Sequence, residues 1–141
     1  MEDITNGACL CEGVKFSVRG APDNVFMCYC SHCTKNAGSV GQISAKFPRK
    51  NVQVLQGDNL LSTWVLHDNV SGCEKHKVFC SRCGCTMWTI PMKHRGDTYI
   101  VRTSLLDQGL EKFAYKTEFF ASRKVAVAAP EVKSFPTMPG A

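Results

Sequence analysis

No run of eighteen apolar residues interrupts this chain of 141 residues, which excludes a membrane-spanning helix. Met1-Glu2-Asp3 opens with acid rather than with a basic stretch and an apolar segment, so no secretory leader is expected. The expected location is the reducing cytoplasm, with no membrane partner. Like charges never gather in blocks of five. The bases scatter as Lys46 with Arg49 and Lys50, Lys75 with Lys77, and Arg123 with Lys124. That scatter favours a mixed, solvated surface over a nucleic-acid interface. No whole-domain repeat and no low-complexity linker divides the chain. A single domain over residues 1–141, with a core at about 7–125, is the expectation. A hydrophobic content of 44% and a charged content of 21% suit a globular core. A compact chain of 15.5 kDa should expose roughly 7,200 Å².

Helical periodicity is also scarce, and strand signals fill the space. Val14, Phe16 and Val18 alternate with Lys15 and Ser17. Val25-Phe26-Met27 forms a short apolar run. Residues 40–47 and 52–55, Leu61 to Leu66, Lys77 to Phe79, Thr86 to Ile90 and Tyr99 to Thr103 read as strands, and Gly57-Asp58-Asn59 as a turn. Trp64 and Trp88 fit core positions on those strands. One short helix is expected after Cys30, with Ser31 as its N-cap and Gly38 as its stop. Pro130, Pro136 and Pro139 predict an extended tail over residues 129–141. The fold class is mainly β, as a sandwich or curled antiparallel sheets.

Against these absences stand nine cysteines. An odd number leaves one thiol outside any closed disulfide framework, and a reducing compartment disfavours disulfides altogether. Eight of the nine lie in tight knuckles: Cys9-Leu10-Cys11, Cys28-Tyr29-Cys30-Ser31-His32-Cys33, and Cys80-Ser81-Arg82-Cys83-Gly84-Cys85. Such spacing aims thiolates at one ion, and sulfur-rich sets suit zinc. Cys73 stands apart and is expected as a small buried or half-buried residue. The simplest partition joins Cys9, Cys11, Cys80 and Cys83 in a closed four-sulfur site. Cys28, Cys30 and Cys33 then form a three-sulfur site with one position open, unless His32 or Cys85 closes it. Two zinc ions on seven thiolates remove three charge units, so the formal +5 becomes +2.

Read in order, Gly7-Ala8-Cys9-Leu10-Cys11-Glu12-Gly13-Val14-Lys15-Phe16, then Cys28 to Ser39, Gly57, Phe79-Cys80-Ser81-Arg82-Cys83-Gly84 and Leu106-Asp107 carry a resemblance. The pattern is similar to that of the glutathione-dependent formaldehyde-activating enzyme family and covers roughly residues 7–125. The resemblance implies a small, mainly β, Mss4-like fold of curled sheets. It implies a structural zinc on Cys9, Cys11, Cys80 and Cys83 and a catalytic one on Cys28, Cys30 and Cys33. The activity implied is a carbon–sulfur lyase reaction joining formaldehyde and glutathione, with glutathione as co-substrate. Departures from the family pattern are Tyr29, where His is frequent, Thr34, where Arg or Gln is frequent, and Cys85, where a non-ligand is usual.

A zinc ion with an open position can lower the pKa of a bound thiol or polarise an oxygen. Proton transfer could come from Tyr29, His32 or Asp107, and the backbone of Gly38 and Ser39 could hold an anionic substrate. His67, His76 and His94 read as surface residues. The substrate is a small molecule, with three functional classes open. They are a zinc lyase on a glutathione adduct or small carbonyl compound, a specialised lyase, cyclase or isomerase not using glutathione, and a non-catalytic zinc module. An edge strand could also pair with a second copy to give a homodimer.

Overall fold

Apolar side chains at every second position give most strands one face for a shared core. The computed structural model describes residues 2–67 and 71–140. In chain order these form β1 (Ile4–Ala8), β2 (Lys15–Arg19), β3 (Asn24–Cys28), α1 (Ser31–Ala37), β4 (Gln42–Pro48), β5 (Val52–Gln56), β6 (Leu61–Leu66), β7 (Lys75–Cys80), β8 (Thr86–Pro91), β9 (Thr98–Arg102), α2 (Gly109–Lys112) and β10 (Thr117–Phe119). A three-stranded sheet has the order β1-β2-β5, and a seven-stranded sheet the order β10-β3-β4-β9-β8-β7-β6. A single 3₁₀ turn, Arg49–Asn51, carries the chain from β4 in the large sheet to β5 in the small one.

Each strand pairing is antiparallel except one: β10 lies parallel to β3. Apart from that pair the sheets are antiparallel, as expected. A parallel pair needs a crossover, and all the chain from α1 to α2 separates these two strands. The small β10, like β1, carries no clear alternation of its own, and neither is predicted from the sequence.

Phe16 and Val18 of β2 are buried and face the large sheet. The Phe16 ring meets Trp88 of β8 edge-on at 5.3 Å, and Trp88 stacks on Tyr99 of β9 at 5.5 Å. Ala45, Val101, Trp88 and Val78 lie opposite one another across β4, β9, β8 and β7, so they share this core face. Phe113, just after α2, closes one end by meeting Phe47 at 6.0 Å.

Three expectations fail for local reasons. Trp64 is 57% exposed, because β6 is an edge strand and Trp64 lies opposite Lys77 on the face away from the core. Cys73 is exposed, in the connection between β6 and β7. The N-cap of α1 is Cys30 rather than Ser31, since the Cys30 sulfur accepts the Cys33 N–H at 3.4 Å. Gly38 does end that helix, in the left-handed conformation at φ 66°. Residues 121–140 are exposed throughout, which contributes to a total surface of 9,097 Å².

Gly57 joins β5 to the turn before β6 at φ 82°, and a Cβ there would overlap the Gly13 carbonyl oxygen. Gly72 has a similar φ of 74° with nothing nearby. Gly72→Ala should therefore cost only the backbone strain, about 1 kcal/mol, and Gly57→Ala clearly more, about 3 kcal/mol. Denaturant midpoints of the two variants provide the measurement. Equal midpoints would show that the Gly13 contact yields freely.

Candidate metal centres

Two chain reversals build the first cluster. The loop between β1 and β2 presents Cys9 and Cys11, and the turn between β7 and β8 presents Cys80 and Cys83. Glu12 takes a left-handed φ of 61° and Gly84 one of 77°, which closes each knuckle tightly. Glu12 N–H donates to the Cys9 carbonyl at 3.0 Å, and Gly84 N–H to the Cys80 carbonyl at 2.7 Å. The four sulfurs all lie within 4.8 Å of one another. Cys9 and Cys11 approach to 3.5 Å, and Cys11 and Cys80 to 3.8 Å. A tetrahedral zinc with bonds near 2.3 Å has sulfur–sulfur edges of about 3.8 Å, so this donor set fits the ion.

Amides reinforce the fit. Val14 N–H donates to the Cys9 sulfur at 3.3 Å, and Gly13 N–H to the Cys11 sulfur at 3.4 Å. Arg82 adds its Nε–H to Cys11 at 3.2 Å and reaches the Cys11 carbonyl at 3.1 Å. The Gly13 amide, with Arg82 behind it, lowers the Cys11 thiol to about 6 against the opposing effect of burial. Hydrogen bonds to the thiolate favour the charged form that a metal needs.

The second cluster lies where β3 runs into α1. Cys28 ends the strand, Cys30 caps the helix and Cys33 sits in its first turn. Their sulfurs also lie within 4.8 Å of one another, with Cys28 and Cys30 at 3.4 Å. The Cys33 thiol donates to Cys28 and holds it down at about 5, while Cys33 itself is pushed well up by that same bond and by burial. Among the described residues no fourth sulfur, imidazole or carboxylate joins this set. His32 is exposed on α1. Cys85 is half-buried and joins neither set; its thiol lies 3.9 Å from the Thr86 carbonyl.

The remaining predicted residues are placed by their hydrogen bonds. Tyr29 is buried behind the second cluster, and its hydroxyl donates to Glu118 of β10 at 2.6 Å. Lys124 grips the same Glu118 oxygen at 3.1 Å. The bond to Glu118, with burial, raises the Tyr29 phenol above its ordinary value and keeps its proton on. Asp107 is exposed, and its N–H donates to the Asn6 carbonyl of β1 at 2.8 Å. Gly38 and Ser39 N–H groups both donate to the Thr34 carbonyl, at 2.9 and 3.2 Å. Those amides close the helix.

The sequence reading missed the large sheet's other face. Gln42 and Ser44 of β4 are buried on the side opposite Ala45 and Phe47, and Gln42 lies opposite Cys28. Val101 and Val78 face the core, so their chain neighbours Arg102 and Lys77 turn to this side. Arg102 donates to the Asn36 carbonyl of α1 at 3.1 Å, and the Asn36 amide donates to Gln42 at 3.0 Å. Burial presses the Arg102 guanidinium down, opposed by the nearby thiols of Cys85 and Cys33. Burial also lowers Lys77, with Arg102's like charge adding to it. Period-two spacing from Val78 and Val101 is the signal that could have found both. A larger groove, about 910 Å³, opens on the core side between β5 and the β6–β9 strands. It is lined by residues such as Val54, Leu61 and Ile90, and by no cysteine.

No curated protein matches the chain. Its fold is similar to that of a crystallised Rhodobacter sphaeroides protein, a structural-genomics target, with a TM-score of 0.60. That likeness covers 80% of this chain and 98% of the other at 18% identity, so it is one of fold. The family model for the glutathione-dependent formaldehyde-activating enzyme matches residues 4–123. With that match over most of its length and two cysteine clusters able to hold metal ions, the chain belongs to this family.

Proposed function

We propose that the protein is a zinc-dependent carbon–sulfur lyase, acting on a glutathione adduct or a small carbonyl compound. The observation that carries this reading is the contrast between the two clusters. Four sulfurs converge between the sheets, and three converge at the start of α1 with no fourth protein donor among the described residues. A closed set serves structure and an open one serves chemistry. Zinc on Cys28, Cys30 and Cys33 would supply Lewis acidity and a free coordination position. Three thiolates outweigh a divalent ion by one negative charge. That surplus favours chemistry on sulfur over hydrolysis of an unactivated amide.

In the addition direction a thiol loses its proton, its sulfur bonds the carbonyl carbon, and the carbonyl oxygen gains a proton. The lyase direction reverses each change. His32, exposed beside Cys33, is the side chain proposed to carry that proton. Tyr29 is assigned a positioning role. Its phenol is committed to Glu118 and its ring packs under Lys124 at 5.7 Å, which fixes the backbone between Cys28 and Cys30. Asp107 is bonded through its amide to β1, and no step is assigned to it.

Protein purified under reducing conditions should carry about two zinc ions per chain, one removable by mild chelation without unfolding. Cys30→Ser should lose that labile ion and at least about 100-fold in turnover of thiol and carbonyl, with its circular dichroism unchanged. Full turnover in that variant would remove the three-sulfur set from the reaction. Cys80→Ser should instead unfold the chain or lower its stability by on the order of 4 kcal/mol, because it opens a closure between residues 11 and 80. A variant with parental stability would mean that the four-sulfur set is not the staple.

A further inference from the structure

We propose that Arg102 and Lys77 form a seat for an oxyanion carried by the substrate. The protein would then take an anionic substrate, with its carboxylate or phosphate on this pair and its reacting atoms toward Cys28, Cys30 and Cys33. The inference rests on the lyase reading for the role of those cysteines, and on its own geometry for the seat.

Burying a charge is costly unless it is paired. Arg102 is half-buried on β9, and its one hydrogen-bond partner among the described residues is the neutral Asn36 carbonyl. No ion pair among the described residues includes Arg102, Lys77 or Lys75. Lys77 lies across β8 from Ile100, and Arg102 is two residues beyond Ile100 on the same face. Two cations brought together under cover, without an acid between them, suit a functional site better than a stable core.

The neighbouring thiolates do not balance them. Lys75 precedes Lys77 by two residues on β7 and turns to the same side, so three positive groups share this face of the sheet with Cys28. Three thiolates on one divalent ion offer a single negative charge in return. Two positive charges remain for an incoming anion. Guanidinium and ammonium groups meet oxyanions through short charge-assisted hydrogen bonds.

Two further observations point to a ligand on this face. Asn36 Oδ1 is buried with no hydrogen-bond partner, although the Asn36 amide nitrogen is engaged by Gln42. It is an acceptor waiting for a hydroxyl or N–H. Beside Lys77 lies an open hollow of about 290 Å³, lined also by Trp64, Phe79 and Gly84. The hollow offers apolar walls for a substrate body whose charge is held by Lys77. Trp64, too exposed for the core, has a use there.

Calorimetric titration of the zinc-loaded full chain tests the seat. Succinate, inorganic phosphate and uncharged succinamide are the probes. Succinate or phosphate should bind and succinamide should not; the tighter of the two identifies the substrate's charged group as carboxylate or phosphate. Arg102→Gln and Lys77→Gln should each weaken that binding about tenfold to a hundredfold with zinc content unchanged, and Arg102→Lys should recover part of the loss. Absence of binding by either anion overturns the seat, as does equal binding by the variants. Loss of zinc from Arg102→Gln with anion binding intact also overturns it, since the cations would then serve only the thiolates. Anion binding without any thiol–carbonyl turnover in the parent sinks the lyase reading and leaves the seat. Turnover that ignores both Gln variants does the reverse.

Discussion

Convergence of Cys9 and Cys11 with Cys80 and Cys83 is the constraint on which the rest depends. A metal held there would join the hairpin of the small sheet to the last knuckle of the large one, across a separation of 69 residues between Cys11 and Cys80. A core of modest size lies between them, built on Phe16 against Trp88. Closing so long a loop through a metal would remove unfolded-state freedom worth on the order of 4 kcal/mol. That is a large part of the stability of an ordinary domain. The hydrogen bonds from Gly13, Val14 and Arg82 show that the backbone is already arranged to receive thiolates. Gly57 belongs to the same arrangement, because the β5–β6 turn presses on the Gly13 carbonyl where no side chain fits.

The large sheet is asymmetric, and the asymmetry separates stability from chemistry. One face carries Ala45, Phe47, Val101 and Trp88, all buried and apolar. The other carries Cys28, Gln42, Ser44, Arg102 and Lys77 on β3, β4, β9 and β7. A buried Ser44 and Gln42 hold each other at 3.2 Å, so the polar face is internally satisfied up to Asn36 Oδ1. Groove volume would have led elsewhere. The 910 Å³ groove on the core side has more room, but it lacks any of the sulfurs that can hold a metal. The three-sulfur set lies toward the other face, with Cys28 opposite Gln42.

Legibility from sequence followed the strength of the local signal. Cysteine spacing is a covalent ruler, so Cys9, Cys11, Cys80 and Cys83 could be grouped without knowing the fold, and β2 and β5 announced themselves by alternation. Trp64 and Cys73 were misplaced because hydrophobic identity does not say whether a strand lies at an edge or where a connection runs. Gly38 and Ser39 were ambiguous because a helix stop and an anion-binding turn use the same residue types. Arg102 and Lys77 were invisible as a pair: one is on β9 and the other on β7, and only the β8 strand between them brings them together. Tyr29 and Glu118 are 89 residues apart, and their bond depends on the parallel pairing of β10 with β3.

That last pairing gives the second cluster a support independent of the first. Tyr29 N–H donates to the Phe119 carbonyl at 3.0 Å, and its hydroxyl donates to Glu118, so one residue is held by backbone and side chain together. Tyr29 is also the residue between Cys28 and Cys30, and its fixation limits how far those sulfurs can move apart. A three-sulfur set has no fourth protein donor to pull it into shape, so its geometry must come from the scaffold behind it. The end of β3, the cap of α1 and the short β10 supply that geometry. A metal held there could keep one position open without loosening the three sulfurs.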